Sequence, residues 1–335
     1  MRTPEFSVVV PLYNKEREIG RCIRSVLDQS FPDFELIVVD DGSTDRSADV
    51  VRCFNDPRIR LIEKRNGGPA SARNRGIEEA KAKLIAFLDA DDQWLPGFLR
   101  TIMDLVSVSP EAGAYFTAFW IHRGGGWARK VTIQDRYTRK GEPILRDYFA
   151  TPSGHLSPSA FVVWKSIFDK TGAFRELFGE DVDLWLRIAA FYPIGYSGSA
   201  QAIWNVNATN RRCIKFGRQN QSPKSCGLMP SLGMIRNAPG IPETTKEKAL
   251  AYVAKRDLRA ILPVNCREGR YAAQHLLELW QVAYGKAPSH VLCLLYVPQK
   301  LLQSFEFARM SLSKCLIACA YLRDRRRAKK VISIG

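Results

Sequence analysis

Residues 6–12 read FSVVVPL, residues 34–39 read FELIVV and residues 84–88 read LIAFL. Nearly unbroken apolar runs of this length, rich in β-branched residues, suit strands buried on both faces of a parallel sheet. Stretches of helical period separate them. Ile19, Cys22, Ile23, Val26 and Leu27 recur at three- to four-residue spacing. Ala48, Val51 and Phe54 do the same, with Ser43 or Thr44 available as the N-cap. Residues 58–63 read as a third strand and 68–81 as another helix. Parallel strands need a crossover between them, so strand–helix alternation from residue 6 to residue 89 confines this part of the chain to an open α/β sheet.

The pattern then becomes less regular. Residues 96–108 read as a helix, 114–121 and 160–164 as strands, and 123–139 as a Gly- and Arg-rich loop or hairpin. Residues 180–191 read as a helix with Leu184, Ile188 and Phe191 facing inward. The expected organisation is an α/β domain over 1–205, a linker over 206–245 rich in Asn, Ser, Pro and Gly, and a basic helical region over 246–335. That last region carries helical periods at 246–262, 267–284 and 291–322.

The net charge of +16 on 335 residues suggests a nucleic-acid or membrane-surface partner. Dividing the chain changes that. Residues 1–204 hold 27 Lys+Arg and 27 Asp+Glu, whereas residues 205–335 hold 23 and 7, so the whole excess lies in the tail. The 8 Cys include no CxxC pair and none of the 4 His is placed near paired Cys, which argues against a zinc ribbon and a disulfide scaffold and fits a reducing compartment. The N-terminus lacks the pattern of a signal peptide, and the apolar run 291–297 falls far short of the roughly 20 residues of a spanning helix. A cytoplasmic location is expected.

Three carboxylate groups stand at expected strand ends or helix starts, where open α/β sheets bind ligands: Asp40-Asp41, Asp89-Ala90-Asp91-Asp92 and Glu180-Asp181. Taken singly, each fits turn or capping chemistry. Taken together, they repel one another unless a cation intervenes, and their hard oxygens suit Mg²⁺ or Mn²⁺ with a phosphate-bearing substrate. Lys64, Arg65 and Arg73 flank the Asn66-Gly67-Gly68 turn as possible phosphate contacts. A dinucleotide dehydrogenase would need a glycine-rich loop directly after the first strand. Here that turn reads Pro11-Leu12-Tyr13-Asn14-Lys15-Glu16, and no Walker loop occurs elsewhere.

Five blocks stand in order: VVVPLYN at 8–14, LIVVDDGSTD at 36–45, NGGPASARNRG at 66–76, LIAFLDADDQW at 84–94 and GEDVDLWLR at 179–187. In these blocks, over roughly residues 5–205, the chain resembles the family 2 glycosyltransferases, nucleotide-sugar enzymes of the GT-A fold. The resemblance implies an inverting transfer from a nucleoside-diphosphate sugar, with UDP favoured, to an acceptor hydroxyl. It implies that Pro11, Tyr13 and Asp40 hold the nucleoside, that Asp41 orders the Gly42–Thr44 turn, that Asn66 supports its loop, and that Arg73 lies near the base or diphosphate. Asp89 would face the ribose, Asp91 would ligate Mn²⁺ or Mg²⁺, and Asp92 would stand behind it. Asp181 would be the catalytic base, with the charge of Glu180 keeping its pKa up. Trp185 has two readings, a platform for a sugar ring or ordinary core packing. His155 also has two, the acceptor side or a surface loop. The QxxRW motif of processive members is absent, since residues 201–204 read QAIW, so a single addition is expected rather than a polymer.

The tail carries Lys255, Arg256 and Arg259 on one expected helix and ends in a run from Arg323 to Lys330. It suits an anionic membrane surface bearing a lipid-linked acceptor, or else a solvated helical face. With no RNA-binding motif and a neutral body, nucleic acid is not expected as a partner. Two other classes fit the same sheet: a catalytically silent sugar-nucleotide-binding protein and a nucleotidyltransferase. The second would need a basic glycine-rich loop after the first strand, which this chain lacks.

Overall fold

A computed structural model describes residues 3–124, 128–133, 145, 148–151, 156–177, 179–209 and 229–261. The chain divides into two compact units, Met1–Gln221 and Ser222–Gly335. The division falls within the segment expected to act as a linker.

In the first unit the expected alternation is present. Strands β1 (Phe6–Leu12), β2 (Phe34–Asp40), β3 (Ile59–Glu63) and β4 (Leu84–Phe87) alternate with helices α1 (Ile19–Leu27), α2 (Ser47–Arg52) and α3 (Pro69–Glu79). β1 pairs in parallel with β2 and β4, and β2 pairs in parallel with β3. Val8, Val9, Val10, Leu36, Ile37, Val38 and Val39 are all fully buried, as expected for strands covered on both faces. Helix α3 lies close on this sheet at Gly76, where an added Cβ would stand 2.2 Å from Cγ1 of Val9. We expect Gly76→Ala to destabilise the domain by about 1–3 kcal/mol through overpacking, measured as a lower midpoint in urea with an unchanged slope.

Beyond β4 the sheet becomes mixed. It gains β5 (Gln93–Trp94), β6 (Ala114–His122), β7 (Ala128–Val131), β8 (Phe161–Trp164) and β9 (Ile194–Asn205), with α4 (Phe98–Val108), α5 (Ile167–Thr171) and α6 (Glu180–Phe191) around it. The strand order is β3-β2-β1-β4-β8-β6-β9-β5, with β7 paired on β6. β8 runs antiparallel between β4 and β6, and β6 and β9 are parallel. β7 makes a hairpin with β6, which answers the reading of 123–139 as a loop or hairpin. β9 has no counterpart in the sequence reading. Its Gly195-Tyr196-Ser197-Gly198-Ser199 segment breaks the apolar pattern, and its pairing with β6 shifts register around Ala118.

Helix α2 begins at Ser47 rather than after Ser43 or Thr44. Ser43 is committed elsewhere, because its hydroxyl donates to Asp40 and accepts the Asn14 amide. In the second unit, α7 (Met229–Asn237) and α8 (Glu243–Ile261) are described, with Leu232, Ile235, Ala249 and Val253 buried. α7 lies in the segment read as linker, and α8 matches the expected helix at 246–262. The helical expectations at 267–284 and 291–322, and the basic run after Arg323, lie outside the described residues. No helix among the described residues is long and apolar enough to cross a membrane.

Candidate functional site

The carboxyl ends of β1, β2 and β4 lie side by side, because Leu12 pairs with Asp40 and Val9 pairs with Phe87. The three acidic groups read from the sequence surround this edge. Pro11 and Asp40 sit at the ends of adjacent strands. Tyr13, just past β1, is 38% exposed, unusual for a large side chain beside a core. Asp40 is buried, and its Oδ1 accepts from the Ser43 amide at 3.2 Å and from the Ser43 hydroxyl. The turn after β2 is therefore ordered by Asp40. The expectation that Asp41 does this is corrected: Asp41 accepts from the amides of Gly67 and Gly68, at 2.9 and 2.7 Å, and pairs with Lys64 at 2.7 Å. Asn66 supports that loop as expected, donating to the Asp41 carbonyl at 2.8 Å. Two successive aspartates thus shape two different loops.

The Asp89-Ala90-Asp91-Asp92 turn follows β4. One oxygen from each of Asp89, Asp91 and Asp92 can lie within 4.8 Å of the others. Asp92 is the buried member. Its Oδ2 accepts from the Ser159 hydroxyl at 2.5 Å and its Oδ1 from the Asn205 amide at 2.9 Å. Burial, then the charges of Asp91 and Asp89, hold its carboxyl well above the usual range. Asn205, at the end of β9, also donates from its side chain to the Asp91 carbonyl at 3.0 Å. Ser159 accepts the Asp89 amide, and its carbonyl accepts from Trp94 Nε1. Ser159, in the short helical turn before β8, and Asn205, at the end of β9, therefore clamp the turn from two distant parts of the chain. Neither was singled out from the sequence, where both look like ordinary polar residues.

Arg73 on α3 joins this turn to the third acidic group. It is 4% exposed, lies 2.7 Å from Asp89 and 3.1 Å from Glu180, and packs over the ring of Phe174 at 5.3 Å. The charges of Asp89, Glu180 and Asp181 raise its pKa against an opposing burial effect, so it stays protonated. The neighbouring Asn74 bonds both the carbonyl and the amide of Phe174, pinning the segment that leads into α6. Gly179, with φ +84, turns the chain in this left-handed region immediately before Glu180, where a side chain would be strained. Glu180, Asp181 and Asp183 then occupy the first turn of α6, where the helix dipole favours negative charge. Asp181 is half-buried, and its Oδ1 accepts the Val182 amide at 2.8 Å.

Trp185 resolves to core packing. It is 4% exposed and meets Phe116 and Phe161 edge-on, at 5.2 and 5.9 Å between ring centres. It is not a platform for a sugar ring. His155 lies outside the described residues. Two charged residues unremarked in the sequence are central here: Lys15, which pairs with Asp91 at 2.7 Å, and Arg187, buried beneath the head of α6 against Asp183 at 2.7 Å.

A family model described as Glycosyl transferase family 2 matches residues 7–172. Among curated proteins, the chain is 36% identical over 141 residues to the uncharacterized glycosyltransferase YibD of Escherichia coli strain K12, an alignment covering 42% of this chain and 41% of YibD. It is 48% identical over 201 residues to an uncharacterized glycosyltransferase of Rickettsia felis, covering 56% of this chain and 31% of that protein. The matches thus span less than half the length of these relatives. Among solved structures, S. aureus TarS 1–349 in complex with UDP-GlcNAc aligns with a TM-score of 0.64 at 21% identity, over 96% of this chain and 92% of that one. The mannosyltransferase PcManGT from Pyrobaculum calidifontis, in complex with GDP-Man and Mn²⁺, aligns with a TM-score of 0.57 at 18% identity, over 96% and 87%. At such identities the structural likeness establishes the fold. The sequence match places residues 7–172 in glycosyl transferase family 2, and the sheet order and structural likeness give the chain the GT-A fold.

Proposed function

We propose that the chain transfers one sugar, with inversion, from a nucleoside-diphosphate sugar to an acceptor hydroxyl. The observation that carries this reading is Arg73. A single buried guanidinium holds Asp89 of the carboxylate turn and Glu180 at the head of α6, so the two acidic groups face one reaction space at the ends of the parallel strands. UDP is the favoured nucleotide, in keeping with the UDP-GlcNAc bound to TarS. Pro11, Tyr13 and Asp40 border the space where the nucleoside would lie.

The donor set fits a divalent cation: three hard carboxylates within reach of one another, at a strand end. Asp91 is its best ligand, since both oxygens of Asp92 already accept hydrogen bonds and Asp89 is paired with Arg73 on the side where the ribose would lie. Mn²⁺, present with PcManGT, and Mg²⁺ both suit such oxygens. When bound, the cation supplies charge that stabilises the departing diphosphate. Asp181 takes the proton from the acceptor hydroxyl as that hydroxyl attacks the anomeric carbon from the opposite side. Glu180, drawn toward Arg73, orients the first turn of α6 beside it.

Incubating the chain with nucleotide sugars and Mn²⁺ is expected to release nucleoside diphosphate, with one donor preferred. Release of pyrophosphate from a nucleoside triphosphate in the presence of a sugar phosphate, with no diphosphate released from the nucleotide sugars, would instead identify a nucleotidyltransferase. The acceptor we propose is a sugar or lipid-linked hydroxyl in cell-surface polysaccharide or glycolipid synthesis, at the cytoplasmic face of a membrane held through the basic tail. Each Lys or Arg near an anionic surface contributes about 1 kcal/mol. The chain is therefore expected to sediment with anionic liposomes at low salt and not at high salt, and to lose this on truncation after residue 262. Equal sedimentation of the truncated chain would refute the membrane role.

A further inference from the structure

The carboxylate turn is already charge-compensated by the chain's own side chains. Arg73 covers Asp89 and is locked in place by Glu180 and Phe174. Lys15 covers Asp91, with Nζ 2.7 Å from Oδ2 and side chains only 11% and 17% exposed. This lysine is held on several sides. Its backbone amide donates to the Ser47 hydroxyl at 2.8 Å, and its ammonium also donates to the Thr209 carbonyl. Thr209 is fixed in turn by two 2.9 Å bonds, from its amide and its hydroxyl, to Oε1 of Glu18. Residues from the first turn of the chain and from the end of the sheet therefore hold one ammonium on the carboxylate assigned above to a divalent cation.

A dication on either oxygen of Asp91 comes within about 5 Å of that ammonium, where like charges in a half-buried site repel. Moving the ammonium away breaks its bonds to Asp91 and Thr209, so the repulsion has no cheap relief. An anionic diphosphate beside the turn would offset the surplus positive charge. We propose that Lys15 is a resident cation that opposes the divalent ion at Asp91 and makes its tight binding conditional on the donor's diphosphate. This rests on the reading of Asp91 as a cation ligand. The coupling is reciprocal: the diphosphate tightens the ion by the factor by which the ion tightens the diphosphate.

The test is Mn²⁺ titration of the full-length chain, with free Mn²⁺ followed by its electron paramagnetic resonance signal, with and without UDP. Without UDP, Lys15→Met is expected to bind Mn²⁺ about tenfold tighter than the wild type, equivalent to about 1.4 kcal/mol. Lys15→Arg, which keeps the charge, is expected to stay near the wild type. UDP is expected to tighten Mn²⁺ by a larger factor in the wild type than in Lys15→Met. Equal or weaker Mn²⁺ binding by Lys15→Met overturns the proposal, and an equal UDP factor overturns its diphosphate clause. Lys15→Gln, which retains a donor toward Thr209 without the charge, is the second variant should Lys15→Met fail to fold, and is expected to bind tighter in the same way. Asp91→Asn separates the two readings. Loss of Mn²⁺ binding in that variant upholds Asp91 as a ligand whatever Lys15 does, whereas wild-type binding overturns both.

Discussion

Asp181→Asn is expected to lower turnover by two to four orders of magnitude, the usual contribution of a positioned general base. The substitution is nearly isosteric. It keeps an oxygen able to accept the Val182 amide that now bonds Oδ1, so the first turn of α6 should persist. What it removes is the negative charge and the capacity to take a proton. The expected signature is therefore a fall in kcat at saturating donor with little change in melting temperature. Glu180→Gln is the matched control. Glu180 acts through its ion pair with Arg73 at 3.1 Å, so its loss should cost less in kcat than the loss of Asp181. Full activity in Asp181→Asn would show that another group accepts the proton.

The largest stability effect is expected at Arg187. This side chain is fully buried, and burial lowers its pKa against the opposing pull of Asp183, itself fully buried one helical turn earlier. Nε and Nη2 reach Oδ2 of Asp183 at 3.1 and 2.7 Å. The remaining donors serve the carbonyls of Thr171, Gly172 and Ala173, where α5 ends. Arg187→Met fills similar space but leaves a buried carboxylate without its main partner and takes the guanidinium donor from three carbonyls, of which Gly172 keeps the Thr171 hydroxyl at 3.1 Å. Arg175, 3.7 Å from the other oxygen of Asp183 and 35% exposed, replaces little of this. Breaking a buried pair by removing one member costs about 3–5 kcal/mol. In a domain of this size that corresponds to a fall in melting temperature of about 6–20 °C. Adding Asp183→Asn should recover part of the loss, because the stranded charge is then gone. A double variant no more stable than Arg187→Met would place the cost in the α5 carbonyls instead.

The two substitutions separate what α6 does from what holds it. Glu180 and Asp181 stand at the head of α6, Glu180 against Arg73, whereas Asp183, Trp185 and Arg187 pack against α5, Phe116 and Phe161. A helix carrying three acidic residues in its first turn is stable because the dipole favours them and because Arg73 and Arg187 compensate two from opposite sides.

Much of this was legible in the sequence, for local reasons. An unbroken apolar run can only be a doubly covered strand or a buried helix, and its length decides between them, which is why β1, β2 and β4 were placed to within a residue or two. Aspartates just past such runs fall at strand ends by connectivity alone. Trp185 could not be resolved, because Asp181 and a residue four positions on share a helical face to first approximation, and only packing against Phe116 and Phe161 buries the tryptophan while Asp181 stays half-buried. Asp40 rather than Asp41 orders the turn after β2, because Asp41 is taken up by the amides of Gly67 and Gly68, and the sequence does not say which of two neighbouring aspartates meets that loop. β9 was missed because its Gly- and Ser-rich middle carries no strand signal; its partner β6 supplies one.

The sequence by itself determined the parallel half of the sheet and the edge where the carboxylates gather, since both follow from periodicity and chain order. Only the tertiary structure decided which cation answers which carboxylate: Arg73 reaches Glu180 across 107 residues of chain, and Lys15 reaches Asp91 across 76. It likewise decided that β8 enters antiparallel between β4 and β6. The physical reason is common to both. Hydrophobic period and turn chemistry are written in neighbouring residues, whereas an ion pair or a strand pairing exists only once distant segments have been packed together, and nothing local in either partner names the other.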